Sequence, residues 1–286
     1  MNSNKNSNSK LAITLLAFLI AISLPSLLNS EETLPELGDA SSSAISLSTE
    51  YKLGRLYMAQ LRRSVPDLQD PIVQDFAEHL VYRLSEYSQL EDRRLEIILI
   101  NNKNINAFAA PGGAIGIYAG LIYHSETEGQ ISSVLSHELA HLSQRHFARN
   151  IQRQQDRSLS NALIILASVA IAASSRPEAV MAGQQVIAQQ ALSYSRSNEL
   201  EADRIGFLTL ISAGYDPDSM PQMFEKLQSL SRLSGANDLE FLRSHPLTKK
   251  RISDSRIRAR EIQGSNYKKS VEFQLIKKRV SINFFK

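Results

Sequence analysis

Ser136-His137-Glu138-Leu139-Ala140-His141 is the stretch on which the reading of this chain turns. Histidines four residues apart lie one turn apart on the same face of a helix, so both imidazoles can reach one ion. Glu138, beside the first histidine, is set to reach a water on that ion rather than the ion itself, which is where a hydrolytic zinc site needs a general base. The flanking residues favour a buried helix. Ser125-Glu126-Thr127-Glu128 reads as a capping box, and Ile131, Val134, Leu135, Leu139 and Leu142 form an apolar stripe. An amphipathic core helix would need no metal, but burying His137, Glu138 and His141 without partners is costly, and a metal supplies one.

Catalytic zinc usually takes three protein ligands. Arg196-Ser197-Asn198-Glu199-Leu200-Glu201-Ala202-Asp203, which begins its first acidic turn 58 residues after His141, offers the third. On a helix Glu199 and Asp203 share a face, whereas Glu201 points about 160° away from Glu199. Glu199 is therefore the expected ligand, and Asp203 the carboxylate that holds a zinc-bound histidine in its correct tautomer. A solvated acidic helix face is the competing reading of the same residues.

Joined to Glu199-Leu200-Glu201-Ala202-Asp203, the His137-to-His141 helix resembles the M48 family of gluzincin zinc metallopeptidases, and within it the periplasmic, outer-membrane-associated members. The resemblance also runs through Asn104-Ile105-Asn106-Ala107-Phe108, Gly112-Gly113-Ala114-Ile115, Arg145-His146, Asn198 to Gly206 and Ser244-His245-Pro246, spanning most of residues 45–260. It implies an α+β, mostly helical, zincin-like metallopeptidase domain with a small β-sheet flanking the active-site helix. It implies one Zn2+ per chain on His137, His141 and Glu199, with Glu138 catalytic. The expected activity is that of a periplasmic endopeptidase degrading unfolded, misassembled or stalled outer-membrane and envelope proteins, with outer-membrane assembly machinery as a further partner. His245 joins the expected catalytic residues in one of two roles: it polarises the scissile carbonyl and stabilises the oxyanion, or it occupies the open zinc position and holds the resting enzyme shut. His124 and His146 read as structural. A reading from another class is a chaperone-like or adaptor protein at the outer membrane with a closed, mainly structural zinc site; Glu138 argues against it, since such a site has no use for a base.

Hydrophobic residues at 43% and charged residues at 21% fit one folded domain with added ends. Residues 1–30 read as a secretory signal peptide: Lys5 and Lys10 precede the apolar run Leu11 to Ser23, which as a helix covers roughly 20 Å, short of the roughly 30 Å hydrocarbon core. No cysteine occurs, which suits an oxidising compartment. Residues 31–47 read as a flexible N-terminal segment, 48–263 as the peptidase domain, and 264–286 as a basic C-terminal tail, a truncated repeat region, because the tetratricopeptide repeats of the resembling proteins do not fit after residue 264.

Within the domain, helices are predicted over 48–63 and 71–88, and Leu95 to Ile100 as a buried strand. Gly113, Ala114, Ile115 and Gly116 are expected to begin an exposed edge strand that binds an extended peptide, the glycines allowing close approach; an interior strand paired on both sides is the competing reading. Ala162 to Ala173 is a run of small and aliphatic residues read as a core helix, a lid over the zinc, or a membrane-contacting segment. From His245 onward twelve Lys/Arg face three Asp/Glu, a basic end suited to anionic lipid or to a solvated helix face. Nucleic acid is not an expected partner of an exported protein.

Overall fold

The computed structural model describes residues 45–154, 194–234, 239–262, 267 and 270–285. The expected signal peptide, nearly all of the 31–47 segment and the 162–173 apolar run lie outside the described residues. Helix α1 spans Leu47–Ser64 behind the Ser46 cap, and α2 spans Pro71–Glu86 behind Asp70, whose carboxylate accepts from the Ile72 and Val73 amides. Strands β1 (Glu96–Ile100), β2 (Ala107–Ala110) and β3 (Ala114–Tyr118) follow, with a tight turn at Pro111–Gly113. The remainder is helical: α3 (Ala119–His124), α4 (Glu128–Ser143), α5 (His146–Gln154), α6 (Arg196–Ser212), α7 (Ser219–Ser234), α8 (Glu240–Ser244), α9 (Lys249–Glu261) and α10 (Val271–Phe284).

The sheet order is β1-β3-β2, with β1 parallel and β2 antiparallel to β3. Both faces are covered. Ile97, Leu99, Ile115 and Ile117 point into a core shared with α2 and α4, while Ile98, Ile100, Phe108 and Tyr118 point into a second core with Met58 of α1 and Phe147 of α5. A strand buried on both faces reads as an unbroken apolar run, which is why β1 was legible.

The expected role of Gly113 to Gly116 is corrected here. β3 is the central strand, hydrogen-bonded on both sides, so its backbone is spent within the sheet. A Cβ on Gly116 would lie 2.2 Å from the Phe108 ring. The space that glycine leaves is filled by Phe108 rather than kept for a peptide. The capping residue of α4 also shifts: Thr127 accepts from the Gln130 amide at 3.2 Å, while Ser125 donates back to Leu121 O at 2.8 Å and closes α3.

The basic C-terminal stretch packs on the domain. Phe273, Ile276 and Val280 of α10 are buried, Phe273 against Phe76 of α2 at 6.1 Å between ring centres. Arg279 pairs with Asp70 at 2.7 Å, and Lys277 donates to Ser125 O at 2.7 Å. The folded unit thus runs through Phe284, beyond the expected boundary at 263. No described helix is long and apolar enough to cross a membrane.

Helix α4 sits at the centre, buried at every position from Glu128 to His141, and its most extensive packing is on α6. Ala140 and Ala202 keep that contact thin. Gly206 makes it close, since a Cβ there would lie 2.9 Å from both the His137 amide nitrogen and Ser136 O, atoms that cannot yield without moving the backbone. Gly206→Ala is expected to destabilise the protein by about 1–3 kcal/mol, the usual cost of overpacking, even though Ala is the better helix former. Urea unfolding tests this; an unchanged midpoint would mean the two helices can separate freely.

Candidate metal centre

Helices α4 and α6 each present two polar side chains one turn apart, His137 and His141 facing Glu199 and Asp203. A third element, the end of α8, delivers His245. The donor atoms of His137, His141, Glu199 and His245 lie within 4.8 Å of one another, and each residue is 2% exposed. His141 Nε2 is 3.0 Å from His137 Nε2 and 3.3 Å from Glu199 Oε1. His245 Nδ1 is 3.3 Å from His137 Nε2 and 3.1 Å from Glu199 Oε1. Four bonds of roughly 2.0–2.1 Å around a tetrahedral zinc put neighbouring ligand atoms about 3.3–3.4 Å apart. The residues present therefore fit a single small cation in chemistry and in spacing.

Electrostatics agree. Burial opposes a charged His137, but Asp203 and Glu199 outweigh it and raise its pKa to about 9. Burial drives His141 well below its ordinary value, with the charge on His137 adding to the effect. Burial also opposes ionisation of Glu199, yet His245, His137 and His141 together hold its carboxyl well below the usual range. The carboxylates favour positive charge at this point. One divalent cation serves all four groups.

Glu138 stands outside this group of four donors. Its Oε2 accepts from the Ala109 amide at 2.9 Å. Its Oε1 lies 3.4 Å from His245 Nε2 and has no hydrogen-bond donor among the described residues. Burial raises the pKa of this carboxyl, against the pull of His245 and His137. Asp203 Oδ1 lies 2.9 Å from His137 Nδ1, on the side of the ring away from the cluster.

Several neighbours were not foreseen. Arg251, read as part of a basic helix, is 2% exposed: Nε and Nη2 donate to Asp203 at 2.6 and 2.7 Å, and Nη1 lies 2.7 Å from Glu199 Oε2. His146, read as structural, places Nδ1 2.8 Å from Nδ1 of His141, and its Nε2 lies 3.2 Å from Glu201 Oε2. Arg149 meets the same carboxylate at 3.0 Å. Tyr194 stacks on His141 at 3.9 Å, and Phe241 on His245 at 4.7 Å. Helical spacing could not find His146, because Arg145, at φ 48°, breaks the helix and turns the chain back. Nor could spacing tell Arg251 from Lys249 and Lys250. Of the remaining histidines, His79 is exposed beside Asp75, and His124 lies edge-on to Tyr123 away from the cluster.

Comparison with known proteins adds an independent line. Residues 68–259 match peptidase family M48. The chain is 34% identical over 271 residues to the beta-barrel assembly-enhancing protease of Escherichia coli K12, covering 94% of this chain and 55% of that protein. It is 33% identical over 272 residues to a putative beta-barrel assembly-enhancing protease of Vibrio cholerae, with 93% and 56% covered. Identity to the mitochondrial metalloendopeptidase OMA1 of Arabidopsis thaliana is 33% over 164 residues, 57% of this chain and 31% of that one. The chain thus spans little more than half the length of the bacterial relatives.

If the four donors share one ion, Glu199→Gln should weaken zinc binding by more than about 10²-fold, whereas Glu201→Gln, two residues removed from the ion, should cost about tenfold. Competition with a chromogenic chelator measures both, and a larger loss in Glu201→Gln would overturn the ligand assignment.

Proposed function

The chain belongs to peptidase family M48, and from that membership we propose that it is a zinc-dependent endopeptidase of the periplasm that cleaves unfolded, misassembled or stalled outer-membrane proteins. The observation that carries the activity is the buried cluster of His137, His141, Glu199 and His245 with Glu138 directly beside it. The substrate class and compartment are supported by the names of the bacterial relatives, which describe proteases that enhance β-barrel assembly. Assembly machinery and anionic lipid remain further partners of the same proposal.

His137, His141 and Glu199 would hold the metal. Bound there, zinc would supply a Lewis acid for the peptide carbonyl and lower the pKa of a water to about 7. Glu138 takes a proton from the attacking water and passes it to the leaving amine. Its geometry suits this: the Ala109 amide pins one oxygen, and the other is left to handle the proton. Burial raises the Glu138 pKa towards the working range of a base. The edge of the sheet beside this carboxylate is β2. Because the Ala109 amide points to Glu138, Ala107 and Ala109 turn their backbone groups away from β3. An extended substrate pairs best there, on the edge that the sequence reading had assigned to β3.

All of β2 is buried, and His245 Nδ1 lies 3.1 Å from Glu199 Oε1 and 3.3 Å from His137 Nε2, a spacing that supports a role at the fourth ligand position and a closed resting state. Of the two roles for His245, occupation of that position has the geometric support, so peptide entry requires its withdrawal. The same four-donor closure is what a structural zinc site shows, and it favours the second reading, an adaptor or chaperone-like protein. Glu138 discriminates between the two. Glu138→Gln should keep full zinc binding and lose cleavage of an unfolded protein such as casein; equal cleavage by both forms would leave only the adaptor reading.

For His245, replacement by Ala should raise basal proteolysis, self-cleavage included, because it frees the fourth position. A fall in kcat of roughly 10² to 10³ would instead assign His245 to the oxyanion.

A further inference from the structure

The two histidines on α4 are supported from behind in different ways. His137 meets a carboxylate, Asp203, directly. Behind His141 lies another imidazole. His146 is 0% exposed, with Nδ1 2.8 Å from Nδ1 of His141 and Nε2 3.2 Å from Glu201 Oε2. Arg149 Nη1 donates to the same carboxylate at 3.2 and lies 3.0 Å from its other oxygen.

The direction of each hydrogen bond in this row can be worked out from its far end. An ionised carboxylate only accepts. Glu201, paired with Arg149, therefore takes the proton of His146 Nε2. A neutral imidazole has one N–H, so His146 Nδ1 is left as an acceptor. His141 must then donate from its own Nδ1, which leaves its Nε2 lone pair pointing into the cluster with His137, Glu199 and His245. The opposite polarity would put the His141 proton on Nε2 and close that nitrogen to a metal.

Resting on the zinc reading above, we infer that His146 and Glu201 are positioning residues that lock His141 in its metal-binding tautomer. They extend the carboxylate–histidine–metal arrangement by one buried imidazole. Such outer partners fix ring orientation and raise ligand basicity, and their loss typically costs 10- to 100-fold in metal affinity. His146 also explains why Glu201, on the opposite flank of α6 from Glu199, is half-buried against α5 rather than fully solvated.

The test uses the whole chain and zinc itself. His146→Phe keeps the ring volume but removes the acceptor, and should lower zinc affinity about 10- to 100-fold by chelator competition. His146→Gln retains an acceptor through its amide oxygen and should recover most of that loss, which a packing role would not predict. Nitrogen-15 labelling of histidine, six residues in this chain, reads the tautomers in the zinc-loaded wild type without any substitution. The expected result is His141 protonated on Nδ1 and His146 on Nε2. His146 protonated on Nδ1, or a His146→Phe protein with wild-type zinc affinity, overturns the inference while leaving the peptidase reading intact. A wild-type chain that binds no zinc removes both.

Discussion

The close approach of α4 and α6 at Gly206 is the constraint on which the rest depends. It sets two histidines against two carboxylates in a buried space. With Glu138, three carboxylates are buried there against one guanidinium, Arg251. Ionised, and with the imidazoles neutral as metal binding requires, they leave two negative charges in a buried interior, where an uncompensated charge costs several kcal/mol. A divalent cation is the ligand that balances the count. The composition of this core asks for a metal before any likeness to other proteins is considered.

The four clustered donors come from different elements. His137, His141 and Glu199 come from two helices locked face to face, so their positions move together or not at all. His245 comes from α8, a single short turn. Its ring is sandwiched against Phe241, and α8 is tethered to the sheet by Glu240, which accepts from Tyr118 at 2.8 Å. Arg251 also donates to Pro246 O at 3.1 Å, next to His245. A fourth donor on its own short element could leave while the other three keep their geometry, which is what the gating proposed for His245 requires.

Much of this was legible in the sequence because it depends on periodicity. His137, Glu138 and His141 follow from helical spacing, as does the separation of Glu199 and Asp203 from Glu201. The strand at 96–100 follows from its unbroken apolar run. What was misread depends on long-range pairing. Whether Ala114 to Tyr118 lies at an edge or at the centre is decided by β1, and no local pattern encodes that partner. Gly116 signals a close approach, but the approaching group is Phe108 rather than a ligand. Arg251 meets Asp203 48 residues away and His146 meets Glu201 55 residues away, both across helix breaks, so helical spacing alone identifies neither contact. The tail from Val271 misled for a simpler reason: net charge dominated the reading, whereas Phe273, Ile276 and Val280 decide where that helix goes.

The acid-rich turn Glu199-Leu200-Glu201-Ala202-Asp203 shows how one helix can organise a whole centre. An alternation of carboxylates would place residues 199 and 203 inside and 201 outside if α6 packed on α4 alone. Because α5 lies against the other flank, Glu201 finds a buried partner as well. The three carboxylates then have three destinations: Glu199 faces the ion position, Asp203 the back of His137, and Glu201 the imidazole behind His141. Both histidines of α4 are thus aimed from α6. It follows that docking α6 and forming the metal centre are one event. A cation that binds only the docked state would stabilise the fold by RT ln(1 + [L]/Kd), growing with its concentration, so a metal bound there would also hold these helices together.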